Sequence, residues 1–329
     1  MKYELNRPEI PVIFLDTHSI TDIAYALKFP SEENLPTREL YEKMIKLVEQ
    51  KKILIYEADQ MYEIGIRQEL VDDSSTVFAR LARGLRTSKD IVEDRQHAIG
   101  MKAFINDDSS VEIPFESAFV GDPFEDRTIG GMILRVNMLT LDMVKDRKAL
   151  NESIAEELER LRLKYIKEKV PEKVRRERQT EAEFNGYAST FQTILARYFN
   201  RGTEATDEAE FWQELNILKR PYSQWKILGG KADPRILIDF YSSDYYKNLP
   251  HVDIWSRLAG QKIIIGEPVR RGDVADMHNI EHFMPYSHIM VLDRAMIALI
   301  KTLKLDEKYD VKVCGLKDLS DLLPDPEEE

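Results

Sequence analysis

Residues 11–19, Pro11-Val12-Ile13-Phe14-Leu15-Asp16-Thr17-His18-Ser19, decide the fold class. The apolar run is short and nearly continuous, and it ends in polar residues. Such a run reads as a buried parallel strand whose carboxyl end delivers Asp16. Residues 52–56 (KILIY) form a second buried strand, which runs into Glu57-Ala58-Asp59-Gln60-Met61-Tyr62-Glu63-Ile64, where a helix begins. Between the two strands the pattern predicts a helix over 20–27 and a Pro-bounded loop over 30–36. A second helix follows, capped by Thr37 and carrying Leu40, Met44, Leu47 and Val48 at helical spacing. Strand, helix, helix, strand, helix implies a parallel α/β sheet with right-handed crossovers.

The same pattern returns near the other end of the chain. Residues 262–265 (KIII) are strand-like, 273–283 helical, 288–292 (HIMVL) a strand ending in Asp293, 295–303 a helix and 311–314 (VKVC) a final strand. From about 73 to 260 the strand signal nearly vanishes. Residues 111–124, with two prolines, suggest a strand pair; 129–169 read as helical; Asp207 caps a helix carrying Phe211, Trp212 and Leu215, and Pro234 starts another. The expected organisation is an α/β core split between 1–72 and 260–329, around a mainly helical region at 73–259 that is too large for a loop.

The 329 residues are 43% hydrophobic and 32% charged, with a mean hydropathy of -0.41, a globular composition. No stretch approaches the roughly 18 apolar residues of a membrane span, and the first ten residues lack the basic and apolar regions of a signal peptide, so a cytoplasmic protein is expected. Cys314 is the single cysteine, which excludes an intramolecular disulfide or a Cys-rich zinc site, and Asn151-Glu152-Ser153 is then an idle sequon. With 59 acidic against 47 basic residues, a net charge of -12, indiscriminate nucleic-acid coating through bulk charge is disfavoured, although local patches remain open. The tail at 321–329 supplies part of that excess.

Four acids stand where a parallel sheet places its functional edge: Asp16 after the first strand, Glu63 on the helix after the second, Asp276 on a late helix and Asp293 after a late strand. Clustered carboxylates raise one another's pKa unless a hard divalent cation neutralises them, which points to Mg²⁺ or Mn²⁺. Each acid also has a plainer reading. Asp16 and Asp293 suit helix caps, Asp273 or Asp276 suits a first helical turn, Glu63 suits a solvated helix face, and Glu57 or Asp59 competes with Glu63 as the second acid.

The arrangement resembles the PIN and PIN-like nuclease superfamily. The resemblance lies in Phe14-Leu15-Asp16-Thr17, in Glu63 after the second strand, in Gly272-Asp273-Val274-Ala275-Asp276 opening a helix, and in Val291-Leu292-Asp293-Arg294. The closing strand at 311–314 and a helix over 316–323 fit its ending. It covers roughly residues 9–72 and 260–325, under half of the chain, and departs from a compact family domain in the long helical interruption. It implies a PIN-like core and a metal-dependent nuclease, an endoribonuclease before a DNase. Asp16, Glu63, Asp276 and Asp293 would hold Mg²⁺ or Mn²⁺, with Thr17, Arg294 and His278 close behind them. The helical region would select substrate or meet a protein partner or inhibitor, and a homo-oligomer is compatible. The alternative is a catalytically inactive PIN-like scaffold that binds protein or RNA.

Arg80, Arg83, Arg86 and Lys89 recur every three residues and would form one basic stripe on a helix, able to guide a phosphate backbone. Residues 160–178 hold nine basic side chains against three acidic ones, and the interleaved Glu168, Glu172 and Glu177 favour a solvated, ion-paired face. Tyr187, Phe191, Tyr198 and Phe199 suit a core rather than base stacking. His278 and His282, four apart, suggest with His288 a zinc alternative; there is no HExxH order, and packing or substrate contact is the preferred reading. Gly229-Gly230-Lys231-Ala232 lacks the upstream glycine and the Ser or Thr of a phosphate loop, and no GxSxG or GxGxxG is present.

Overall fold

A computed structural model describes residues 1–65, 68–125, 140–199 and 208–327. The chain begins with β1 (Lys2–Asn6), β2 (Val12–Leu15), α1 (Thr17–Lys28), α2 (Leu35–Glu49), β3 (Leu54–Ile55) and α3 (Gln60–Ile64). It continues through α4 (Val71–Ala82), α5 (Lys89–Asn106), β4 (Ser110–Pro114), α6 (Leu141–Lys167), α7 (Glu172–Phe199) and α8 (Glu208–Ile227). Short helices α9 (Ile236–Ser242) and α10 (Asp244–Lys247) lead to α11 (Pro250–Lys262) and α12 (Arg271–Phe283). The last elements are β5 (Ile289–Val291), α13 (Arg294–Leu303), α14 (Leu305–Tyr309), β6 (Lys312–Cys314) and a 3-10 helix over Leu316–Leu322.

The protein is mixed α/β and mostly helical, around a four-stranded parallel sheet ordered β3-β2-β5-β6. Ile13 stands opposite both Ile55 and Ile289, so β2 is central and all four of its residues are buried. Alternation along the strands divides the core. Ile13, Leu15, Ile55, Ile289 and Val291 face α1, α2 and α4, whereas Val12, Phe14, Met290 and Leu292 face residues of α5, α11, α12 and α13. The second layer draws on both ends and the middle of the chain, since Leu85, Val92, Ile113, Leu158 and Ile254 pack with Phe14 and Met290. A third cluster, built on Phe191, Trp225, Phe240 and Tyr241, closes the helical region.

Several expectations are corrected. The stretch 262–265 is no strand: Lys262 ends α11, and the following residues turn. The boundary expected at 259/260 therefore falls inside a helix that packs on α12 and α13. Residues 111–124 do not form a strand pair; β4 pairs in parallel with β1, register Tyr3 to Val111, in a separate two-stranded ladder. Asn34, not Thr37, precedes α2, and Pro36 occupies its first turn, where a missing N–H costs nothing. The basic stripe is broken, because α4 ends at Arg83 in a left-handed conformation (φ 47°) and Lys89 opens a new helix. Gly230 lies so close to Trp225 that a Cβ there would sit 2.1 Å from the indole, a packing role in place of a phosphate loop. Phe191 is buried, as expected of a core aromatic. Asp207, the helical pattern over 129–139 and the side chains of Tyr198, Phe199, Phe211, Trp212 and Leu215 lie outside the described residues. Among the described residues, no helix is long and apolar enough to cross a membrane.

Candidate active site

A parallel sheet points all of its strand carboxyl ends one way, so adjacent strands deliver their next residues side by side. Asp16 follows β2 and Asp293 follows β5, and the Asp16 N–H donates to the Val291 carbonyl (3.1 Å). Each caps the helix after it: Asp16 Oδ1 accepts from the Ser19 N–H (2.7 Å) and Asp293 Oδ1 from the Met296 N–H (2.7 Å). The capping bonds fix both side chains through Oδ1, so capping and a place in a site coexist.

Glu63 is brought in by the first turns of α3. Gln60, fully buried, donates Nε2 to the Leu15 carbonyl (2.8 Å) and accepts from the Ala58 N–H (2.7 Å), pinning α3 to the end of β2. The Thr17 hydroxyl then donates to Glu63 Oε2 (2.6 Å), which places Thr17 directly behind a site carboxylate. Glu57 and Asp59, the competing second acids, are engaged elsewhere, with Arg86 (3.4 Å) and Arg147 (3.9 Å) respectively. On α12, Asp273 completes the helix cap by accepting from the Arg270 N–H (2.7 Å) and pairs with Lys262 (2.9 Å). Asp276, one turn further on, is the acid that faces the others.

Asp16, Glu63, Asp276 and Asp293 all line one cleft of about 480 Å³, with walls supplied by Tyr62, Arg147, Lys148, Asn151 and Arg271. Burial and mutual proximity act on three of these carboxyls. Burial pushes the Asp16 carboxyl up, and Asp293 adds to the shift. Burial and then Asp16 do the same to Glu63, against the Thr17 hydrogen bond. Asp276 is raised well above the ordinary carboxylate range by burial and by Glu63, Asp293 and Asp16. Asn151 Oδ1 is buried here without a hydrogen-bond partner. Among the described residues, the group of three metal-type ligands whose donor atoms lie within 4.8 Å of one another is not drawn from these acids; it is His278, Glu281 and His282.

Other expected members of the site are elsewhere. His278 is not beside the acids: its ring stacks on Trp255 (4.6 Å between centroids) on the far side of α12, and its Nδ1 is 2.7 Å from Glu281 Oε1. Arg294 is exposed and outside the cleft walls. Arg80 lies over the Tyr41 ring (5.9 Å), Arg83 sits near Phe124 and the start of β3, Arg86 pairs with Glu57, and the Lys89 N–H donates to Asp59 Oδ2 (3.4 Å); none lines the cleft. The cations that do line it, Arg147, Lys148 and Arg271, carry no spacing signal, because two come from the helical region and approach only through folding. The sequon asparagine Asn151 arrives in the same way. His288 does not join His278 and His282; its Nδ1 accepts from the Val12 N–H (3.1 Å).

At the second cluster, burial alone would raise Glu281, but the adjoining His282 and His278 outweigh it and hold the carboxyl down to about 2. Burial would lower His282, and Glu281 reverses this, lifting it to about 9.

Comparison of the chain with protein-family models, with curated proteins and with solved structures finds no match.

Proposed function

We propose that this protein is a PIN-like, metal-dependent nuclease that hydrolyses phosphodiesters, with RNA as the favoured substrate. The observation that carries the reading is the convergence of Asp16, Glu63, Asp276 and Asp293, from four separate elements, on one cleft at the carboxyl edge of a parallel sheet. An all-oxygen donor set with an orphaned amide oxygen beside it suits a hard cation such as Mg²⁺ or Mn²⁺ and offers nothing to a soft one. When bound, such an ion supplies Lewis-acid stabilisation of charge at phosphate oxygen and lowers the pKa of water.

The protein's own residues contribute orientation and charge. Capping bonds hold Asp16 and Asp293, and the Thr17 hydroxyl holds Glu63, so the carboxylates are positioned before substrate arrives. Arg271 and Lys148 are placed to meet a phosphate that the acids alone would repel. Arg147 is held by Asp59 and by the Tyr62 ring (5.2 Å) and stiffens that wall.

The test is cleavage of single-stranded RNA and DNA of matched sequence with Mn²⁺, with Mg²⁺ and with excess chelator. Cleavage is expected only with the ions, and Asp16→Asn and Asp276→Asn are expected to reduce it by at least about 100-fold, the loss of roughly 3 kcal/mol of transition-state stabilisation. Cleavage that survives chelation would sink the reading; a folded protein that binds RNA but cleaves nothing would replace it with the inactive scaffold.

A further inference from the structure

The far side of α12 carries a second candidate site that the nuclease reading does not use. At about 100° per residue, positions 278, 281 and 282 lie some 140–240° around the helix from Asp276, so the two groups face opposite sides. There α5, α6, α7, α11 and α12 line a pocket of about 720 Å³, open to solvent and larger than the acidic cleft. Three of the six histidines, His251, His278 and His282, line it, and His97 continues the row behind His251. The rings of His278 and His282 are 6.2 Å apart, those of His282 and His251 6.0 Å, and those of His251 and His97 5.1 Å.

Such a concentration of imidazole and carboxylate in the interior costs desolvation unless each group is matched. The matching is incomplete. A single oxygen, Glu281 Oε1, serves both His278 Nδ1 (2.7 Å) and His282 Nδ1 (2.9 Å), while His278 Nε2 is buried with no partner. His282 Nδ1 is also 2.8 Å from the His278 carbonyl, a bond that fixes its ring. Trp255 stacks on His278 at 5° between planes and donates its N–H to Glu183 Oε2 (2.9 Å), locking that ring as well. Rings held by stacking and backbone contacts, around a shared carboxylate, are what a metal site needs before its ion arrives.

We propose that His278, Glu281 and His282 bind a divalent transition-metal ion, with Zn²⁺ as the best chemical match, open on one side to this pocket. One donor atom from each residue lies within 4.8 Å of the other two. Bond lengths of about 2.0–2.1 Å to zinc would set neighbouring tetrahedral ligands about 3.3 Å apart, so closure needs only side-chain adjustment. Two imidazoles and one carboxylate form a borderline N/O donor set, which separates this centre from the hard, all-carboxylate cleft. The sequence order His278-Asn279-Ile280-Glu281-His282 places both histidines one helical turn apart with the glutamate beside the second. Three protein ligands leave a fourth position, and the pocket is the space into which it opens.

The full-length protein is stripped of metal and titrated with Zn²⁺, in parallel with an Asp16→Asn/Asp276→Asn variant in which the acidic cleft is disabled. That variant is expected to retain one equivalent of tightly bound Zn²⁺, and Co²⁺ in its place is expected to give the d–d absorption of a four-coordinate N/O site. Adding His278→Gln or His282→Gln should weaken Zn²⁺ by more than about tenfold and remove that absorption. The proposal is overturned if the cleft-disabled protein binds no equivalent of Zn²⁺, or if folded His278→Gln and His282→Gln proteins bind it undiminished. Should those substitutions prevent folding, the Co²⁺ spectrum of the cleft-disabled protein decides: six-coordinate absorption alone refutes the site, and four-coordinate absorption supports it.

Discussion

Asp276 shows how much one side chain can say about a site. Its carboxyl binds a proton more tightly in the folded protein than the ordinary value of 3.8 implies, through burial and four neighbouring acids. A group with a raised folded pKa contributes stability that is fully present below the unfolded value and is lost as pH rises through the folded one. In chelator, the melting temperature is therefore expected to fall as pH climbs from about 4 towards neutrality. Asp276→Asn should flatten that slope and melt above the wild type at pH 7. Mn²⁺ at ten times its dissociation constant should add about 1.4 kcal/mol to the wild type, a rise of about 2–4 °C, and less to the variant. A wild type that melts alike across this pH range and ignores Mn²⁺ would remove the argument from crowded carboxylates. The four acids were legible as residues because each follows an apolar strand or opens a helix. That Asp16 and Asp293 are caps and cleft residues together was not legible, since a sequence cannot say which carboxylate oxygen a backbone N–H takes.

At the scale of elements, the four strands of the main sheet were readable, whereas β1, β4 and the helical boundaries were not. A run such as 12–15 is apolar on both faces only because helices cover both sides of the sheet, and that pattern survives in the sequence. The three-residue recurrence of Arg80, Arg83, Arg86 and Lys89 implied one helix, but the Arg83-Gly84 turn breaks it and sends the charges in different directions. Reversing Arg271 and Lys148 to Glu should accordingly weaken RNA binding and flatten its salt dependence, while Arg83→Glu leaves both unchanged; a filter-binding titration at several salt concentrations separates the two. Helix contacts can be tested as directly. At Gly260, α11 lies so near α7 that a Cβ would fall 2.2 Å from Thr180 Oγ1 and 3.1 Å from the Arg176 carbonyl. Gly260→Ala is expected to cost about 1–3 kcal/mol through overpacking, despite alanine's better helix propensity, and Thr180→Ala in the same protein should recover part of it in a urea melt.

Across the whole molecule, the strands near both ends of the chain and the helices between them share one hydrophobic cluster. Phe14 and Met290, at the centre of the sheet, are covered by Val92, Ile113, Leu158 and Ile254, all from the intervening residues. Joining 1–72 directly to 260–329 is expected to give a chain without a cooperative thermal transition, because one face of the sheet would lose the part of its cover that α5, α6 and most of α11 supply; a sharp melt from that fusion would restore the picture of an independent core. The sequence by itself determined the parallel α/β class and the order of most strands and helices of the main sheet, and it offered acids at the sheet edge as candidates, because strand burial and helix capping are written in local patterns of a few residues. Tertiary structure alone decided that Arg147, Lys148 and Asn151 join those acids, that His278 turns away from them, and that His251, His278 and His282 line one pocket. Those outcomes depend on which helix faces pack together across hundreds of residues, and the energies that choose among such packings arise from contacts that no local period records.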